Sequence, residues 1–274
     1  MNVSGLPKFT HPPVVEVVQG IQFDALDLTP VHVGLLYENV LKATYPRVQA
    51  QPPLPPLEER FEEGAPLDIT FQLGGNFDPI GRLWFSSPDN LHLVQIQRDR
   101  LIYNWRKSDS SVSYQHYDAV RARFVEVYGL LHDFALSQGL KEVVPGMCEL
   151  TYVNHIKMPN DAKQSDLYRA FSTWREIDPP LSANLVVEDT TFTVRHRIVT
   201  TEGDPIGRLH VKCIPAITQN NERIFLLEIT ARGKSLGSGL SGALLFHDIA
   251  HETIVTTFAQ MTSGEMHRAW GRIE

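Results

Sequence analysis

One short stretch holds the densest set of groups able to do chemistry: His247, Asp248, His251 and Glu252, within six residues. Histidines four apart on a helix can face a single metal ion, and a neighbouring carboxylate can complete the ligand set or act as a base. That chemistry would be metal-dependent hydrolysis, by a hydrolase or a nuclease. The angular positions weaken it. At about 100° per residue, Ala250, Ile254, Phe258 and Met261 form an apolar stripe with His247 inside it and His251 at its margin. Asp248 and Glu252 turn toward the polar side, and the order lacks the His-Glu-x-x-His arrangement of zincins. A structural role is favoured over a metal site: two histidines bonded at the edge of a core, with two carboxylates near a helix start. No metal and no cofactor are assigned.

Other polar groups form weaker candidates. Asn104, Trp105 and Arg106 end a basic, aromatic strand region that begins near Gln95 and could stack on bases or grip a phosphate or peptide. A solvated hairpin is the plainer account of the same residues. His267, Trp270 and Arg272 follow the break at Ser263-Gly264 and carry too much specific surface for a frayed tail. Trp270 is therefore expected to pack on the body, with His267 or Arg272 bonded to an acidic or backbone acceptor. Glu16 and Glu149 each interrupt an apolar strand, which demands a partner; Arg82 and Arg208 are the expected ones. Cys148 and Cys213 lie in apolar strands and are expected to be inert thiols. The glycine-rich patches lack the spacing of phosphate-binding loops, and no serine sits in a nucleophile elbow.

The elements that must position these groups follow from hydrophobic period and punctuation. Residues 14–23 predict a buried strand, and Thr29-Pro30 opens a helix through about Ala43. Residues 51–56 are an extended proline-rich linker, and residues 58–63 an exposed acidic stretch. Residues 67–73, 81–86 and 91–106 form an antiparallel meander with turns at Gly74-Gly75-Asn76 and Pro88-Asp89-Asn90. A helix follows with apolar residues at Val120, Phe124, Val127, Leu131 and Phe134, stopped by Gly139. The second half predicts strand 147–156, helix 166–176, strands near 185–187, 191–200, 208–214 and 223–231, a flexible loop over 233–242, and helix 243–261.

Asp78-Pro79-Ile80-Gly81-Arg82-Leu83 recurs unchanged as Asp204-Pro205-Ile206-Gly207-Arg208-Leu209, 126 residues later. A Pro-Pro-Leu triplet precedes each copy, a glutamate-bearing strand lies ahead of each, and a long helix follows each. The pattern predicts an α+β fold made by tandem duplication of a strand–helix–antiparallel meander–helix unit, over residues 1–145 and 146–274. Curved sheets would pack on the long helices, and the two copies should place their hexapeptides equivalently. The saddle of the TATA-binding protein offers a structural analogy.

The chain has 274 residues, 25 basic against 32 acidic, and a formal charge of −7. Such a balance repels phosphate backbones on average, so a nucleic-acid partner is disfavoured, although a local basic patch stays open. No apolar run is long enough to span a bilayer. With two cysteines and no basic-then-apolar leader, a cytoplasmic location is expected.

Pro12-Pro13-Val14-Val15-Glu16, Asn104-Trp105-Arg106, and the series Asp248, Ala250, His251, Glu252, Phe258, Thr262, Met266, His267, Trp270 together resemble a sporadically distributed bacterial and archaeal family of uncharacterised proteins of about this length. The resemblance spans essentially the whole chain. It implies one intact unit with a special C-terminus and, from its patchy occurrence, an accessory or defence-associated gene, and it names no substrate. The functional expectation is a binding or assembly module for a protein partner or small ligand, with a homodimer left open. The metal-dependent hydrolase and the saddle-like nucleic-acid binder are the alternatives.

Overall fold

The computed structural model describes residues 5–61, 80–108, 112–158, 166–175, 182, 184–185, 187–218 and 220–273. Among these residues, nine antiparallel strands form one sheet: β1 (Val14–Phe23), β2 (Arg47–Gln51), β3 (Arg82–Ser86), β4 (His92–Gln97), β5 (Arg100–Arg106), β6 (Pro145–Ile156), β7 (Phe192–Val199), β8 (Pro205–Ile217) and β9 (Arg223–Lys234). Their order is β2-β3-β4-β5-β1-β6-β9-β8-β7. The helices are α1 (Pro30–Leu36), α2 (Tyr117–Ser137), α3 (Leu167–Ala170), α4 (Gly239–Met261) and α5 (Gly264–Ala269). The mixed α+β class is as the sequence predicts. No helix among the described residues is long and apolar enough to cross a membrane.

Local rules account for the boundaries. Thr29 caps α1 by accepting from the His32 backbone, with Pro30 in the first turn. The helix then widens into a π-helical turn over Tyr37–Leu41, ahead of the predicted end at Ala43. All five apolar residues of the predicted α2 stripe are buried, and Gly139 adopts the left-handed conformation that ends it. Alternation then sorts the strands into two faces. Val17, Ile21, Tyr103, Trp105, Leu150 and Ile229 point to one face and are buried, and α2 and α4 pack over them against β1, β5, β6 and β9.

Several expectations are corrected. The predicted loop over 233–242 is mostly regular, because β9 runs to Lys234 and α4 begins at Gly239. Gly233 is there for closeness: a Cβ on it would collide with the Ile206 carbonyl and the Phe246 ring. The strand predicted over 91–106 is a hairpin, β4 and β5, turning at Arg98-Asp99. The helix predicted at 166–176 is a single turn, since Phe171 leaves it to bridge Thr262. Leu185 and Val187 are exposed and outside any strand. The hexapeptides are not equivalent: the first leads into β3, separated from β1 by two strands, and the second into β8, separated from β6 by one. The predicted strand 67–73, the turn at 74–76, Glu62 and Glu63, Asp78-Pro79 and the second Pro-Pro-Leu triplet lie outside the described residues.

Candidate functional site

The helix-borne constellation is a seam between α2, α4 and the centre of the sheet. His247 is fully buried; its Nε2–H donates to the Gly20 carbonyl at 3.1 Å, and its Nδ1 accepts from Gln19 at 3.0 Å. Burial holds the ring neutral, with its pKa pushed down to about 4. His251 stacks on Tyr117 with ring centres 4.1 Å apart and bonds the Tyr152 hydroxyl at 2.9 Å. Burial lowers its pKa to about 4 as well. Asp248 accepts from the Tyr117 hydroxyl and from Arg121 of α2, at 2.9 and 2.8 Å; desolvation and the neighbouring carboxylate drive the Tyr117 pKa upward. Glu252 is exposed and apart from the others. Among the described residues, no three metal-capable side chains converge.

The C-terminal candidates are docked. Trp270 is buried, stacks on Phe258 at 5.2 Å and meets the edge of Phe9. His267 bonds the Thr262 hydroxyl at 2.8 Å, and Arg272 approaches the other ring nitrogen at 2.9 Å. Residues 8–11 pair with 270–273, so this end is clipped to the start of the described chain.

The strand candidates divide by face. Trp105 is on the helix side and wholly inaccessible, which removes it as a stacking platform. Asn104 and Arg106 are on the opposite face, where no helix lies among the described residues. There Glu16 accepts from Asn104 at 2.6 Å and Arg106 at 2.8 Å, while Gln95 donates to Asn104 and accepts from Arg82 and Trp84. Arg106 also lies over the Trp84 ring. Glu16 and Glu149 thus do have arginine partners, but these are Arg106 and Arg232 rather than Arg82 and Arg208. Strand register decides this, because each glutamate stands directly opposite its arginine.

On the other half of this face, register aligns Arg197, Arg208 and Arg232 across β7, β8 and β9, with Arg195 opposite His210 in the next rank. Like charges directly opposite are destabilising. A carboxylate answers them from far away in the chain. Glu59 bonds Arg208, lies 2.7 Å from His210 Nε2 and 3.8 Å from Arg232, and has a side chain only 2% exposed. It belongs to a strap, residues 52–61, that crosses the face. In residues 52–57 only Leu54 and Leu57 have backbone N–H groups, and both donate to glutamines of the sheet, Gln97 and Gln22. Arg100 holds the Pro55 carbonyl at 2.7 Å. The predicted acidic stretch therefore buries one of its carboxylates. This face is missing from the expectations drawn from the sequence, although the period-two spacing of Arg208, His210 and Lys212 is the signal that would have found it; nothing local signals that Glu59 reaches it.

Arg195, Arg197, Lys212 and Lys234 are exposed, and no hydrogen bond or ion pair joins them to the described residues. Arg195, Arg197 and Lys212 share the face of Arg208 by register, and Lys234 follows Arg232 by two residues on the same strand. No protein-family model matches this chain, and no curated protein matches it either.

Proposed function

We propose that this protein is a non-catalytic binding module that receives a nucleic acid on the helix-free face of its sheet. The unpartnered cations Arg195, Arg197, Lys212 and Lys234 carry the reading. The formal charge of −7 opposes a polyanion only when averaged over the surface; on this face the cations gather, and Glu16, Glu59 and Glu149 are already engaged, with Glu228 exposed opposite Lys212. Trp84 is the only strand-borne aromatic among the described residues of the face, so duplex phosphates suit it better than a stacked single strand. Fluorescence anisotropy with a short DNA duplex should show salt-dependent binding. The double substitution Arg195→Ala, Arg197→Ala should weaken it and reduce the salt slope by about two. No binding at low salt, or binding indifferent to the double substitution, would leave a protein or small-ligand partner as the better reading.

Hydrolysis by His247, Asp248, His251 and Glu252 has less support, because the first three hold helices and sheet together. The module is further taken as a tandem duplication over residues 1–145 and 146–274. Outward from the centre, β1-β5-β4-β3 parallels β6-β9-β8-β7, and the Glu16–Arg106 and Glu149–Arg232 pairs occupy matching places. The saddle analogy extends from this arrangement. An accessory or defence-associated role in a prokaryotic cytoplasm follows from the family resemblance and belongs to the same proposal.

A further inference from the structure

We infer that Arg208, His210 and Arg232, with the adjoining Arg197, form a phosphate subsite, and that the strap occupies it through Glu59 as a built-in competitor. The inference rests on the nucleic-acid reading. Three observations join in it. First, the rank Arg197–Arg208–Arg232 sets guanidinium groups on neighbouring strands directly opposite one another, an arrangement that needs an anion to be stable. Second, Glu149 of the neighbouring strand holds Arg232, and the other anion present is Glu59, almost wholly enclosed, from a segment that contributes nothing to the strand ladder. Third, Arg197 has no partner among the described residues, so Glu59 and Glu149 leave the three guanidinium groups of the rank under-neutralised.

The strap is held to the sheet by side chains and not by the strand ladder, its carbonyls at Leu54 and Pro55 accepting from Gln97 and Arg100. Its described backbone N–H contacts to the sheet run to glutamine side chains, Gln97 and Gln22, which water can replace. Arg208 also donates to the Arg60 carbonyl and lies over the Phe61 ring. Departure would therefore free the arginine completely. A phosphate offers more acceptor oxygens than a carboxylate and suits the bidentate geometry of two adjacent guanidinium groups. Displacing Glu59 by a phosphate of the bound duplex exchanges one anion for another, with no covalent change.

The test is Glu59→Gln, which keeps the shape and removes the charge. It should bind a DNA duplex about tenfold more tightly than the wild type, with a salt slope larger by about one. Glu58→Gln removes the same charge from an exposed surface pair with Arg60, and it should give no comparable gain. Equal effects of the two substitutions would overturn the inference. In the wild type, adding duplex should speed hydrogen exchange at the Leu54 and Leu57 amides; unchanged protection in a formed complex would also overturn it, even if Glu59→Gln does not fold. If neither protein binds duplex, titration with inorganic pyrophosphate separates the cases. Binding by Glu59→Gln alone keeps the subsite and removes the nucleic acid, whereas no binding removes both.

Discussion

His247 has one donor and one acceptor satisfied inside the core, by the Gly20 carbonyl and the Gln19 amide. Protonation would add a second donor where Gln19 already donates, and it would put a charge where no water reaches. The folded ring therefore titrates at about 4 instead of 6.5, and His251 behaves alike. The unfolded chain takes up these protons as pH falls below about 6.5, while the folded chain does not. The stabilisation is thus complete above that pH and is lost progressively toward pH 4. Urea midpoints should fall between pH 7 and pH 5, before most carboxylates titrate; a constant midpoint across that window would mean that both rings are solvated. The placement of His247 was legible, because helical period put it in the apolar stripe. The partners of Glu16 and Glu149 were not, because register is set by pairing between strands far apart in sequence.

Between elements, the tightest approach is that of α4 to the outer strands. Gly207 and Gly233 stand opposite each other on β8 and β9, and the Phe246 ring of α4 lies over both. A Cβ on Gly207 would come within 2.7 Å of the Arg232 carbonyl and 2.9 Å of that ring. Gly233→Ala should therefore cost about 1–3 kcal/mol of stability, since a packed core yields only by shifting backbone. Gly129, inside α2, meets nothing within 4 Å; Gly129→Ala should be neutral or stabilise by about 0.4–1 kcal/mol. Denaturant unfolding of the two variants checks the contrast, and equal effects would deny the contact. Most strands and both long helices were legible from period alone. Gly233 was not, because a glycine-rich run looks like a loop when the residue it must admit, Phe246, comes thirteen positions later in the sequence.

For the whole molecule, the decisive fact is that β1 lies mid-sheet between β5 and β6, and that His247 of α4 reaches across to bond Gln19 and Gly20 of β1. Neither half closes its own core. Residues 1–145 expressed alone should lack cooperative unfolding, and the intact chain should unfold in one transition by both circular dichroism and tryptophan fluorescence. A folded, monomeric fragment would show that the halves are independent. The hexapeptide was a misleading landmark, because identical residues need not hold identical places in the sheet: two strands lie between β3 and β1, whereas one lies between β8 and β6.

The clip between residues 8–11 and 270–273 also sets a schedule. Thr10 donates to Gly271, 261 residues away, so this contact waits on almost the entire span being made. At ordinary translation rates that is roughly 10–50 s. Throughout that time Phe9 has neither Phe258 nor Trp270 to cover it, and the Val-rich strand β1, made early, waits for β5 and then β6. The nascent chain therefore carries its most apolar strand longest without neighbours, and the ribosome-bound intermediate is where a chaperone would find the most to hold.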